Sequence, residues 1–458
     1  MKSAIIVVDE KSTFGNRWKK NTKNNNTMIP VLYLLLAALC IASPIAQATA
    51  TSAKSKNDVC SGHRVTVPFS SRTLLPLNHR HGPCSPFPSS ERRVPSMSDG
   101  IWRGSSAVAK RPTVPTTLET LEYVATVGLG TPAVNQTLYV DTGSDVSWVQ
   151  CRRCPVPAAC HPQKDPLFDP AKSSTYSTIP CGSAACRSLD DYGCSGRLCQ
   201  YAVAYGDGSN TTGTYSADKL TLSPSGYAVD GFRFGCSHTA QGFGDDLADG
   251  LIGLGGGKPS IVSQMAEKAF SYCLPPSASY SGFLSLGAPP RWSGFAVTPM
   301  YLVDTHYLVF LQGIVVAGRR LRVPTSAFAA GAVMDSGTLV TQLPPAAYRA
   351  LRAAFRKEMR SYPLAPPPSD IFDTCYSVLN ESSTGGDVMI KVPSVALVFD
   401  RGATVELDRS GIILDGCLAF TSNDDDASVG IIGNVQQRTF EVLYDIGGGA
   451  VGFRPGAC

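Results

Sequence analysis

Leu138-Tyr-Val-Asp141-Thr-Gly-Ser144 and Ala332-Val-Met-Asp335-Ser-Gly-Thr338 are two copies of one small pattern: an apolar run, an aspartate, a hydroxyl residue, a glycine and a second hydroxyl residue. Each copy is answered later in the chain by an apolar-apolar-glycine element, Leu251-Ile-Gly253 for the first and Ile431-Ile-Gly433 for the second. An aspartate placed after an apolar strand and just before glycine puts a carboxylate at a strand end, where the glycine lets the backbone turn sharply and approach a counterpart. One such unit is an ordinary turn. Two of them predict two similar lobes that face each other, with the boundary near residues 290–310, after Leu286-Gly-Ala-Pro-Pro290.

Outward from the repeat, the chain reads as all-β with a few helices. Its 458 residues, 43% hydrophobic, suffice for a large core and favour two lobes over one. The 43 Gly, 33 Pro and charged fraction of 17%, with alternation such as Tyr123-Val-Ala-Thr-Val-Gly128, predict many short strands joined by tight turns. The clearest helix is Pro345–Met359, with proline in its first turn. The expected divisions are a signal peptide with an extended start over 1–50, a basic propeptide over 51–118, an N-terminal lobe over 119–295 and a C-terminal lobe over 296–458.

The front of the chain differs from the body in charge. Residues 1–50 carry six Lys or Arg against two acids, residues 51–118 ten against three, and residues 119–458 carry 24 against 31. An acidic body is a poor partner for nucleic acid, although the basic leader could bind a polyanion or lie against the body. The apolar run Val31–Ile41, preceded by Lys19, Lys20 and Lys23 and followed by small residues, reads as a signal peptide, with Met28 as an alternative start. No apolar tail follows Gly452. The leader stretch His79-Arg-His-Gly-Pro-Cys84 is read as a propeptide surface rather than a metal tract, and the mature N-terminus is expected near residues 111–120.

Fifteen cysteines, twelve of them between Cys151 and Cys458, point to an oxidising compartment and six disulfides. Cys151-x-x-Cys154 lacks a second pair or a histidine pattern to complete a zinc site, so neither metal nor cofactor is expected. Asn135-Gln-Thr137, Asn210-Thr-Thr212 and Asn380-Glu-Ser382 are glycosylation sequons.

Asp141 and Asp335 are the candidate catalytic pair. Two carboxyls held within hydrogen-bonding distance do not both ionise easily, so one keeps a proton while the other acts as a base. The base takes a proton from a water held between them, and the acid supports the carbonyl oxygen of a scissile bond. Ser144 and Thr338, three residues after the acids, are placed to donate to the outer carboxylate oxygens; Thr142 and Ser336 are placed to knit the two loops together, and Gly143 and Gly337 to let them approach.

At these residues the chain resembles the pepsin-like aspartic proteases, and more closely their plant nepenthesin-like branch, over about residues 120–458. The resemblance implies the bilobal pepsin-like fold with its active site between the lobes, polypeptide substrates, a monomer, and secretion to the apoplast as a zymogen, with vacuole or chloroplast as alternatives. It likens Asp141–Trp148 to the first active-site loop and Tyr205-Gly206-Asp-Gly-Ser209 to the flap, with Tyr205 hydrogen-bonding Trp148. It also implies the disulfides Cys151–Cys154, Cys160–Cys236, Cys181–Cys199, Cys186–Cys194, Cys273–Cys458 and Cys375–Cys417, with Cys60 and Cys84 left to pair in the leader. The leader is similar to those of apoplastic proteases and of a chloroplast nucleoid DNA-binding group. Two other readings remain on this fold: an inactive binding protein like the plant xylanase inhibitors, and a protease that also binds DNA through its leader.

Overall fold

The computed structural model describes residues 73–80, 84–87 and 123–458, apart from 155–158, 223–225, 244–246, 267, 277–279, 288–291 and 378–389. The expected signal peptide, most of the leader with Cys60, the expected processing region and Asn380 lie outside the described residues.

The alternation in Tyr123–Leu129 and Val134–Asp141 produces an antiparallel pair, in register from Val124↔Tyr139 to Leu129↔Val134. Both faces are covered. Ala125, Val127, Leu138 and Val140 enter the main core, while Val124 and Tyr139 pack with Trp148, Tyr201 and Leu251 on the other side. This pair lies within a fifteen-stranded sheet. On one side the sheet continues through Gly250–Gly253, Trp148–Gln150, Tyr227–Gln241, Asn210–Leu222, Leu198–Ala204 and Tyr192–Ser195. On the other it continues through Thr73–His79, Ser281–Leu286, Ala269–Cys273, Glu441–Asp445, Ala450–Arg454 and Ala296–Pro299. The second half of the chain builds a six-stranded sheet and two four-stranded sheets.

The duplicated sequence pattern is duplicated structure. Gly250–Gly253 runs parallel to Val134–Asp141, with Gly253 beside Asp141, and antiparallel to Trp148–Gln150. Gly430–Ile432 likewise runs parallel to Ala332–Met334 and antiparallel to Thr341–Leu343. In both halves the strand carrying the aspartate is thus flanked by its apolar-apolar-glycine partner. The longest described helix, Pro345–Glu358, buries Ala347, Tyr348, Leu351 and Phe355 along one stripe.

Two expectations are corrected. The leader is not merely a surface stretch: Thr73–His79 is a strand of the main sheet, and His79, Arg80, Ser85 and Phe87 are buried. Four expected cysteine pairings are also replaced. Strand Trp148–Gln150 runs parallel to Tyr227–Gln241 with Val149 beside Cys236, so Cys151 bonds Cys236 and not Cys154. A tight turn, closed by the Cys154 N–H donating to the Cys151 carbonyl at 2.8 Å, sends Cys154 to Cys160, which is therefore not bonded to Cys236. In the insert, Cys186 bonds Cys199 in the core, and Cys181 bonds Cys194 nearer the surface, replacing Cys181–Cys199 and Cys186–Cys194. Cys273 bonds Cys458 and Cys375 bonds Cys417. Cys84 is disulfide-bonded.

Candidate active site

Each aspartate stands at the end of its strand, and the following loops meet face to face. The Thr142 N–H donates to Ser336 Oγ at 3.0 Å, and the Ser336 N–H donates to Thr142 Oγ1 at 2.9 Å. Each hydroxyl then donates across the interface at 3.0 Å, Thr142 to the Met334 carbonyl and Ser336 to the Val140 carbonyl. Four reciprocal bonds between buried groups fix one loop on the other.

Above this lock sit the carboxyls. The Gly143 N–H donates to Asp141 Oδ1 and the Gly337 N–H to Asp335 Oδ1, both at 2.8 Å. Ser144 Oγ and Thr338 Oγ1 donate to the respective Oδ2 atoms, both at 2.5 Å. A Cβ on Gly143 would lie 2.7 Å from Asp335 Oδ1, and one on Gly337 would lie 2.4 Å from Asp141 Oδ1. Any larger residue at either position would force the carboxyls apart. Asp141 is only 5% exposed, while Asp335 is half-buried. Burial first, and the charge of Asp335 second, push Asp141 up to about 7, against the bonds from Ser144 and Gly143.

A hairpin lies close enough to Asp141 for that carboxyl's charge to act on its Tyr205. Tyr205-Gly206-Asp207-Gly208 forms the turn between Leu198–Ala204 and Asn210–Leu222, with the Gly208 N–H donating to the Tyr205 carbonyl at 3.0 Å. Gly208 has φ +90°, open to glycine at little cost. Trp148 Nε1 donates to the Tyr205 hydroxyl at 2.7 Å. Gly206 is exposed, Asn210 is half-buried at the start of the returning strand, and Asn135 is exposed.

The sequence matches the family model for the xylanase inhibitor N-terminal domain over residues 123–288 and that for the C-terminal domain over residues 306–455. An aspartyl protease family protein of Arabidopsis thaliana is 38% identical, covering 84% of this chain and 88% of that protein. Aspartic proteinase nepenthesin-2 of Nepenthes gracilis is 35% identical, covering 74% of this chain and 78% of that protein. The chain belongs to the pepsin-like aspartic protease family. The crystal structure of basic 7S globulin from soybean aligns with a TM-score of 0.58 at 18% identity, covering 83% of this chain and 94% of that one, a likeness of fold alone. A carboxyl pair sharing one proton is the general behaviour for which aspartic proteases are the standard example.

Three features of this family member were not singled out from the sequence. Asp145 is 7% exposed and accepts from the Gly257 N–H at 2.9 Å; burial, then the charge of Asp190, push it to about 6 against that bond. It stands four residues after Asp141 in the first active-site loop, but its partner, the Gly257 N–H, is brought to it only by folding. Phe243 packs its ring 5.1 Å from that of Trp148 and 6.0 Å from that of Tyr205, backing the hairpin. Gln437 Nε2 donates to the Ile432 carbonyl at 2.8 Å and the Asp335 carbonyl at 3.3 Å, steadying the second loop from below. Neither residue carries a sequence signal, because only chain folding brings them to the site.

Proposed function

We propose that this protein is an aspartic endopeptidase that hydrolyses peptide bonds in polypeptides with a water activated between Asp141 and Asp335. The observation that carries the reading is the pair itself: two carboxyls, each bonded by its own glycine N–H and hydroxyl, locked together by the Thr142–Ser336 exchange. The ionised partner takes a proton from the water as its oxygen attacks the scissile carbonyl carbon. The protonated partner donates to the carbonyl oxygen, giving a neutral tetrahedral diol. Collapse of the diol returns a proton to the leaving nitrogen, breaks the C–N bond and leaves a carboxylic acid and an amine. The Tyr205 hydroxyl, held well above its usual range by burial and then by the charge of Asp141, stays neutral and keeps the hairpin bonded to Trp148 over the cleft.

The chain is made as a precursor that matures near residues 111–120 and is secreted as a monomeric glycoprotein. Six disulfides among twelve cysteines support an oxidising destination. No described helix is long and apolar enough to cross a membrane. Cleavage of an unstructured protein by the acid-processed chain, measured across pH 3–7, tests the function. Activity is expected in acid, abolished by pepstatin and by either Asp141→Asn or Asp335→Asn, and falling as pH rises through about 7, where Asp141 loses its proton. A folded, processed protein with no cleavage at any of these pH values would instead favour an inhibitor, the function named in the two matching family models.

A further inference from the structure

The proposed reaction makes no use of the leader strand, yet the sheet depends on it. Thr73–His79 is inserted between two strands of the body, in register with Ser281–Leu286 from Thr73↔Leu286 to Asn78↔Ser281. It also pairs with Tyr123–Leu129 at Asn78↔Val124 and His79↔Tyr123. Among the described residues it is the one strand joining the two parts of the fifteen-stranded sheet. On one side lie Ser281–Leu286, Ala269–Cys273 and the C-terminal strands; on the other lies the hairpin that ends in Asp141.

Its side chains are equally committed. Leu75 and Leu77 have no exposed surface and share the main core with Tyr272 and Leu284. Ser281 Oγ donates to Asn78 Oδ1 at 2.6 Å, and the His79 ring meets Tyr123 edge-on at 5.4 Å. The Arg80 guanidinium lies 5.6 Å from the centre of the Tyr139 ring. Phe87, 3% exposed, joins the cluster that holds Tyr139, Val146 and Trp148. The twelve cysteines from Cys151 onward are all bonded among themselves, so the disulfide of Cys84 does not reach the body.

We infer that residues 73–87 are a permanent, non-covalently held part of the folded protein, and that cleavage between residues 88 and 122 yields a two-chain molecule rather than one that has shed its leader. Loss of the strand would divide the sheet, leave backbone groups unpaired on both new edges and open the core at Leu75 and Leu77 to water. Strand bonds and apolar burial change little with acid or salt, whereas a leader held by its basic charge on an acidic body is released by both.

The test is to place a specific protease site within residues 96–106 of the full chain, cleave to completion, and follow the leader fragment by size-exclusion chromatography and mass spectrometry. The fragment is expected to co-elute with the body at pH 3 and at pH 7, in about 1 M salt and after roughly hundredfold dilution, and to separate only in denaturant. A folded, monodisperse body eluting without the fragment under any of the native conditions would overturn the inference. Leu77→Asp, cleaved in the same way, is expected to release the fragment; retention by that variant would count against burial as the holding force. Should the variant fail to accumulate, hydrogen exchange on the uncut native chain decides: protection of the amides of Leu74, Leu75, Leu77 and Asn78 equal to that of Tyr123–Leu129 supports the inference, and free exchange defeats it. None of these readouts depends on proteolytic activity, so failure here and failure of the protease reading are separable.

Discussion

Thr142 and Ser336 look interchangeable with any turn hydroxyls in the sequence, but each is buried and makes bonds that only the other lobe can complete. Thr142→Ala removes one donor and one acceptor, stranding the Met334 carbonyl and the Ser336 N–H. It is expected to cost about 2–3 kcal/mol in denaturant unfolding and to lower kcat more than it raises KM, because the carboxyls lose their fixed separation. An unchanged kcat would show that the lock is structural only. At the neighbouring acids, Asp141→Asn or Asp335→Asn is expected to leave the melting temperature nearly intact and cleavage undetectable. The catalytic candidates were legible in the sequence because the two triplets repeat. Asp145 was not singled out, because its meaning lies in the Gly257 N–H, which only folding brings to it.

At the scale of single elements, the strands of the hairpin are held in the main sheet, and its Tyr205 end is tied by one polar contact, Trp148 Nε1 donating to the Tyr205 hydroxyl at 2.7 Å, with Phe243 against both rings. Tyr205→Phe keeps the ring and deletes that contact. A roughly tenfold fall in kcat/KM is expected, about 1.4 kcal/mol, with little change in melting temperature. A full-activity variant would show that the hydroxyl does not position the hairpin. The cysteine-rich insert makes a different kind of prediction. Peptide mapping without reduction is expected to find Cys181 with Cys194 and Cys186 with Cys199, each closing a span of 13 residues. Replacing either pair with serine is expected to cost about 3 kcal/mol on loop entropy, and more for Cys186 and Cys199, whose serines would be buried. Cysteine count was legible, but partner choice was not: Cys194 stands directly opposite Cys199 across the hairpin, yet each bonds elsewhere.

Across the whole molecule, buried acids set how stability follows pH. Asp249 is fully buried, accepts from the Thr137 and Asp165 N–H groups, and is pushed to about 8 by burial first, against those bonds, with the nearby Asp165 charge adding. Asp145 and Asp141 are raised to about 6 and about 7. A folded-state value above the unfolded one stabilises fully below about pH 4 and is lost as pH rises through the folded value. Asp165 and Asp373 are lowered, with the opposite effect in stronger acid: burial, the largest single influence on each, raises them, but the bonds from Lys164 and Thr137 to the one and from Tyr348, Thr374 and Arg352 to the other together outweigh it. The melting temperature is therefore expected to be highest in mild acid and to fall between about pH 5 and pH 8, with Asp249→Asn flattening the fall. A melting temperature that is level or rising over that range would refute this. The sequence by itself determined the duplicated architecture, the all-β class and the candidate pair, because strand alternation and a repeated Asp-hydroxyl-Gly triplet are local patterns that need no partner to be read. Which cysteines bond, which distant side chains back the site, and that a leader strand joins the two parts of the main sheet were decided only by tertiary structure, since each depends on the register between strands far apart in the chain.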